Sequence, residues 1–224
     1  MGCRTRVSSG ITWVFSQVEE AIFLEDDCLP HPTFFQFCQE LLLRYRHDER
    51  VGMISGDNFQ FGYTMNNDSY YFSSINHIWG WATWRSRWES DYDVKLKEWP
   101  RIRDGNQIND CFGIYPDHES LASNLERTYR LEVDTWDYQW QFGSRLNGRV
   151  AIMPNVNLVS NIGTTDATHK GTDEFCHLPT KPILFPLKHP RGLFASTSMD
   201  SRFLRHVLKK SPTRRFKAWL KRLL

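Results

Sequence analysis

No uninterrupted apolar run in this chain approaches the length of a signal-peptide core or a membrane span, so neither is expected. Cysteine is scarce and unpatterned. Cys3, Cys28, Cys38, Cys111 and Cys176 are odd in number and have no CxxC spacing, which excludes a disulfide framework and points to a reduced, cytoplasmic protein. A zinc site assembled from Cys28, His31, Cys176 and His177 has no recognised structural spacing. Charge of one sign is not in excess: 28 Lys and Arg against 26 Asp and Glu leave a net charge of +2, too little to name a partner. Internal repeats and low-complexity linkers are absent. What remains, 224 residues of which 40% are hydrophobic and 14% aromatic, suffices for one sizeable core or two small ones.

The most informative stretch is FLEDDCLP, residues 23–30. Three consecutive carboxylates, Glu25, Asp26 and Asp27, follow the strand-like run 21–24, and no basic residue lies between Glu19 and His31 to relieve their repulsion. Carboxylates at a strand's C-terminal end can hold Mg²⁺ or Mn²⁺ through oxygen. A solvated acidic turn, or a cap for the following helix, accounts for them equally well at this level. Before the triplet, Ile11, Val14, Phe15 and Val18 predict a short helix over 11–19. After it, Phe34, Phe37, Cys38, Leu41, Leu42 and Tyr45 recur at helical spacing behind Pro30 and Pro32. Residues 51–55 and 70–73 read as strands, and 149–159 as a further strand broken or bulged at Pro154. Alternating strands and helices predict an α/β fold whose ligands bind at the carboxyl ends of strands.

Two segments are unusually aromatic. Four tryptophans fall within residues 79–88 of HIWGWATWRSRWESDY, and DTWDYQWQF (134–142) adds two more beside Asp134 and Asp137. Tryptophans at this density are most often core, although sugars also stack on such rings. Arg85 and Arg87 are too thin a basic footprint for nucleic acid. The last residues, SPTRRFKAWLKRLL, predict a basic amphipathic helix suited either to an anionic membrane surface or to the domain's own core.

FLEDDCLPHPTFFQF resembles the acidic DXD-type segment of GT-A-fold glycosyltransferases, in particular the N-acetylglucosaminyltransferase-like, nucleotide-diphospho-sugar transferase group. WGWATW, TWDYQW and NLVSNIGTTDATH are similar to segments of bacterial members, and the resemblance runs to about residue 170. It implies a GT-A-like α/β fold, a mixed sheet flanked by helices, over 1–195, with a basic helical tail over 196–224. The implied activity is transfer of a sugar from a nucleotide-diphosphate-sugar donor to a glycan or lipid-linked acceptor, dependent on Mn²⁺ or Mg²⁺ and inverting.

By the same resemblance, Asp27 matches the metal-binding carboxylate and His169 the histidine that completes the metal shell. Glu25 and Asp26 match positions that contact the nucleoside or orient the site. Asp137 matches the catalytic base, and its aromatic surroundings suit that role. Gly80 and Trp81 are expected to line the donor or acceptor pocket, with Trp84 and Trp88 packed inside. Only 24 residues precede Glu25, so much of the N-terminal nucleotide-binding half is expected to be missing. The chain would then be a fragment, a degenerate relative, or one completed by a partner chain that covers an open sheet edge. Peripheral contact with the inner face of the membrane would come from the basic helix. A non-catalytic carbohydrate-binding module is the alternative.

Overall fold

The computed structural model describes residues 2–113, 118–163 and 174–209. Helix α1 (Cys3–Phe15) starts and ends earlier than the periodicity suggests. Ser8, Ile11 and Phe15 form its buried stripe, while Val18 lies beyond its end and is exposed. Its first turn is capped from far away: the Asp134 carboxylate accepts the Cys3 and Arg4 backbone N–H groups at 2.7 and 3.2 Å. A remote carboxylate thus does the work of a local N-cap.

Strand β1 (Glu20–Phe23) leads through the acidic turn into the short strand β2 (Cys28–Pro30) and helix α2 (Thr33–Tyr45). The six residues expected to face inward on α2 are its six buried residues. Strands β3 (Val51–Ser55) and β4 (Tyr70–Ser73) lie where expected. Strand β5 (Trp81–Trp84) is formed by the tryptophan-rich segment itself. Helices α3 (Arg85–Asp91), α4 (Trp99–Asp104), α5 (Ile108–Phe112), α6 (His118–Tyr129) and α7 (Asp137–Leu146) follow. The single bulged strand expected over 149–159 is two strands in different sheets, β6 (Val150–Pro154) and β7 (Val159–Asn161); Pro154, without an N–H, ends the first. Helix α8 (Thr197–Lys209) closes the described chain.

The main sheet has the order β1-β5-β3-β6-β4, with β3 and β6 parallel and every other pair antiparallel. The fold is therefore mixed α/β: a five-stranded mixed sheet flanked by helices. A second sheet pairs β2 with β7. Among the described residues the outer edge of β1 has no strand partner, so the expected open edge is present. The β4 edge is partly covered, because Phe72 bridges Ala195 and its carbonyl accepts the Ser196 N–H.

Strand side chains alternate between two cores. Val51, Ile54, Ala82, Trp84 and Ile152 pack under α2. Met53, Trp81, Ala151 and Met153 pack against Trp136 and Trp140 of the α7 region and Phe15 of α1. A smaller cluster of Leu96, Trp99, Ile102, Phe112, Leu125 and Phe142 binds the helical segment together.

Helix α8 is docked rather than trailing. Its buried Asp200 accepts the Ser73 and Ser74 hydroxyls at 2.6 and 2.7 Å and the Ser74 N–H at 3.0 Å. The residues of the basic amphipathic pattern beyond Lys209 lie outside the described residues. Among the described residues no helix is long and apolar enough to cross a membrane.

Candidate functional site

The acidic triplet forms a tight turn in which the Glu25 carbonyl accepts the Cys28 N–H at 3.1 Å. The turn is pinned from the opposite side by β7, because the Asp27 carbonyl accepts the Ile162 N–H at 2.7 Å. The Asp27 carboxylate lies where a side chain at Gly163 would stand; a Cβ there would sit 2.7 Å from Asp27 Oδ2. One ligand atom each of Glu25, Asp27 and Cys28 lies within 4.8 Å of the others.

Glu25 is half-buried, and its pKa is pushed up to about 7 by burial first and then by the carboxylates of Asp27, Asp137 and Asp26. A hydrogen bond from the Trp136 side chain acts the other way. Asp137, the first residue of α7, is near enough for its charge to act on Glu25 although it is remote in sequence. The Thr135 hydroxyl donates to Asp137 Oδ1 and orients it.

A further carboxyl group is near enough to interact with Glu25 and Cys28. Asp57 follows β3 and is fully buried; Oδ2 accepts the Trp79 N–H at 3.0 Å, while Oδ1 has no partner. Burial, with a smaller contribution from Glu25, pushes the Asp57 pKa well up. Burial also raises the Cys28 thiol, and Glu25, Asp27 and Asp57 add to that. Among the described residues no basic side chain contributes to the shifts of Glu25, Asp57 or Cys28.

Of the residues expected to form the site, Glu25 and Asp27 lie together, and Asp137 is near enough for its charge to act on Glu25. Asp26 points to solvent, close enough for its charge to act on Glu25. His169 lies outside the described residues. Gly80 has φ +78°, and a Cβ there would meet Val159 Cγ2 at 2.7 Å and Leu24 Cδ2 at 3.1 Å; it lets β5 begin hard against β7 and the acidic turn. Trp81 does not line an open pocket. It is 2% exposed, with Phe23, Trp136 and Trp140 around it at ring distances of 4.9, 5.5 and 5.6 Å, because the first side chain of β5 points to the α7 face. Trp84 and Trp88 are buried, as expected. Asp134, the other acid of DTWDYQW, is occupied with capping α1. Asp57 is not among the residues that the sequence singles out; its signal is that it too stands just beyond the carboxyl end of a buried strand.

The oxygen donors of Glu25 and Asp27 fit a hard divalent cation, whereas Cys28, held as a thiol, does not add a suitable donor. No protein-family model matches the chain, and no curated protein matches it.

The Glu25 shift has a sign that can be measured. The folded state holds this proton more tightly than the unfolded chain, whose glutamate titrates near 4.5. Its contribution to stability is therefore present at low pH and is lost as pH rises from that value through about 7. Glu25→Gln, which cannot ionise, is expected to gain about 2 kcal/mol on the wild type between about pH 5 and pH 8. Urea unfolding of both proteins across that range checks it; parallel pH profiles would refute the assignment.

Proposed function

We propose that this chain is a GT-A-type, metal-dependent glycosyltransferase domain that moves a sugar from a nucleoside-diphosphate donor to the hydroxyl of a glycan or lipid-linked acceptor. One observation carries the reading: Glu25 and Asp27, just beyond the end of β1, hold ligand atoms within 4.8 Å of each other, and Asp137 at the start of α7 is near enough for its charge to act on Glu25. Glu25 and Asp27 would hold Mn²⁺ or Mg²⁺, which supplies positive charge for the departing diphosphate. Asp137, held by Thr135, takes the proton from the acceptor hydroxyl as its oxygen attacks the anomeric carbon. Asp57 keeps the Trp79 backbone in place. A single base on one side of the sugar implies inversion, and product with retained configuration would remove that part of the proposal.

The alternative, a carbohydrate-binding module, needs an aromatic surface. Trp81, Trp84, Trp88, Trp136 and Trp140 are all buried and, of the two segments' tryptophans, only Trp79 is partly exposed, so these segments are spent mainly on the core.

The test is thermal unfolding of the whole chain with Mn²⁺ and a panel of nucleoside-diphosphate sugars. At saturating ligand the midpoint is expected to rise by about 5 °C or more, and the rise is expected to vanish in Asp27→Asn. A rise that survives chelation or persists in Asp27→Asn would overturn the metal–diphosphate reading.

A further inference from the structure

Beyond the acidic turn, α8 and the loop 57–63 enclose a second site. A cavity of about 150 Å³ is lined by Phe59, Phe61, Arg202, Arg205 and His206. Whole drug-sized ligands occupy roughly 300–1,000 Å³, so this space takes one end of a ligand. Arg202, Arg205 and His206 stand three and four residues apart on α8, which places them on one helix face. Arg46, Arg103 and Arg149 each hold a carboxylate, but among the described residues Arg202 and Arg205 form no ion pair. The nearby carboxylate of Glu174 is engaged with His206 Nε2 at 2.7 Å. Arg202 lies 4.5 Å over the Tyr63 ring, which fixes its guanidinium and leaves its N–H edge available.

The rim carries an independent sign. Phe61 is 42% exposed and has φ +52°, a left-handed conformation that costs a bulky residue roughly 1–2 kcal/mol. Gly62 follows at φ +83°, and the Tyr63 N–H donates to the Gln60 carbonyl at 3.1 Å, closing the turn. The turn is rooted by the buried Gln60, whose amide donates to the Tyr71 hydroxyl at 3.2 Å and the Met199 carbonyl at 3.1 Å. This costly geometry does not bury Phe61. It holds the ring 4.4 Å from His206 at the cavity mouth.

From these features we infer that the cavity binds the phosphate group of an organic phosphate ester, with the ester's carbon body lying against Phe61 and Phe59. Two guanidinium groups match the roughly −1.5 to −2 charge of a phosphate monoester and bond its oxygens through their forked N–H edges. The phenylalanine rings supply the apolar wall that inorganic phosphate could not use. The site is opposite in sign to the acidic turn, though Phe59 and Asp57 belong to one loop. It therefore takes anions without a metal, and it stands whether or not the chain transfers sugars. The same phosphate chemistry could come from a soluble ester or from a lipid headgroup.

Calorimetric titration of the whole chain tests it, with phenyl phosphate and inorganic phosphate as probes. Phenyl phosphate is expected to bind more tightly than inorganic phosphate, and the double variant Arg202→Gln, Arg205→Gln to lose at least tenfold in affinity for both. Both arginines are exposed, so the fold survives the change. Phe61→Asn, a residue that tolerates the left-handed conformation, is expected to raise the unfolding midpoint and to erase the preference for phenyl phosphate. Phosphatidylcholine vesicles with and without phosphatidic acid identify the source. Sedimentation that requires phosphatidic acid, is competed by phenyl phosphate and is lost in the double variant assigns a lipid headgroup; phenyl phosphate binding without it assigns a soluble ester. Absence of saturable heat at millimolar phenyl phosphate, or binding unchanged in the double variant, overturns the site.

Discussion

Asp137→Asn is expected to slow the release of nucleoside diphosphate from the productive donor by about 10²- to 10⁴-fold while leaving the metal-dependent midpoint shift in place. The substitution isolates the proton-accepting role. Asn keeps an Oδ1 that can accept the Thr135 hydroxyl, so the start of α7 and the buried Trp136 beside it keep their positions. What is lost is the negative charge and the second oxygen that can take a proton. A wild-type rate in a folded Asp137→Asn protein would remove Asp137 as the base.

Gly143→Ala is expected to destabilise the protein by about 3 kcal/mol or more, the opposite of the usual helix rule. Inside a helix, alanine in place of glycine ordinarily stabilises by roughly 0.5–1 kcal/mol. At Gly143, however, a Cβ would lie 1.7 Å from the Asp91 carbonyl oxygen and 2.6 Å from its carbon. Those are backbone atoms, so α7 and α3 must move apart. Asp91 has little freedom to yield, because its buried carboxylate is bound by Arg149 at 2.7 Å and Asn147 at 3.0 Å. The unfolding midpoint is expected to fall by about 10 °C. Gly10, in the interior of α1 with nothing within 4 Å of its added Cβ, is the control: Gly10→Ala should stabilise modestly. Equal responses at the two positions would show that the contact between α3 and α7 is looser than described. Because α7 carries Asp137, displacing it should also weaken the upward shift of Glu25.

The parts of this molecule that could be read from sequence are those governed by neighbours along the chain. The apolar period of α2 and the apolar runs of β3 and β4 are local properties, and all three elements lie where those patterns put them. The N-terminus of α1 could not be placed, because its cap is Asp134 rather than a flanking residue. Strand β5 was ambiguous for a different reason: tryptophans serve a core and a sugar surface equally well until the face they occupy is known, and Trp81 occupies the inner one. In the site, the crowding of Glu25, Asp26 and Asp27 was visible as unrelieved repulsion. Asp57 was not, since burial of a single carboxyl depends on what packs over it. The aromatic and basic pocket beside α8 was equally hidden, because Phe61 and Arg202 meet only through tertiary structure.

The parallel pairing of β3 with β6 also governs the order in which the molecule can be completed during synthesis. Val51 pairs in register with Val150, and among the described strands β4 joins the sheet only through β6. A nascent chain emerging from the ribosome can therefore close the antiparallel trio β1-β5-β3 early, yet the outer flank of β3 stays unpaired until residues 150–154 appear. The cap for α1 arrives almost as late, at Asp134. Closing such distant pairs costs loop entropy before any reward, so folding is slow and the waiting trio is the species most exposed to aggregation.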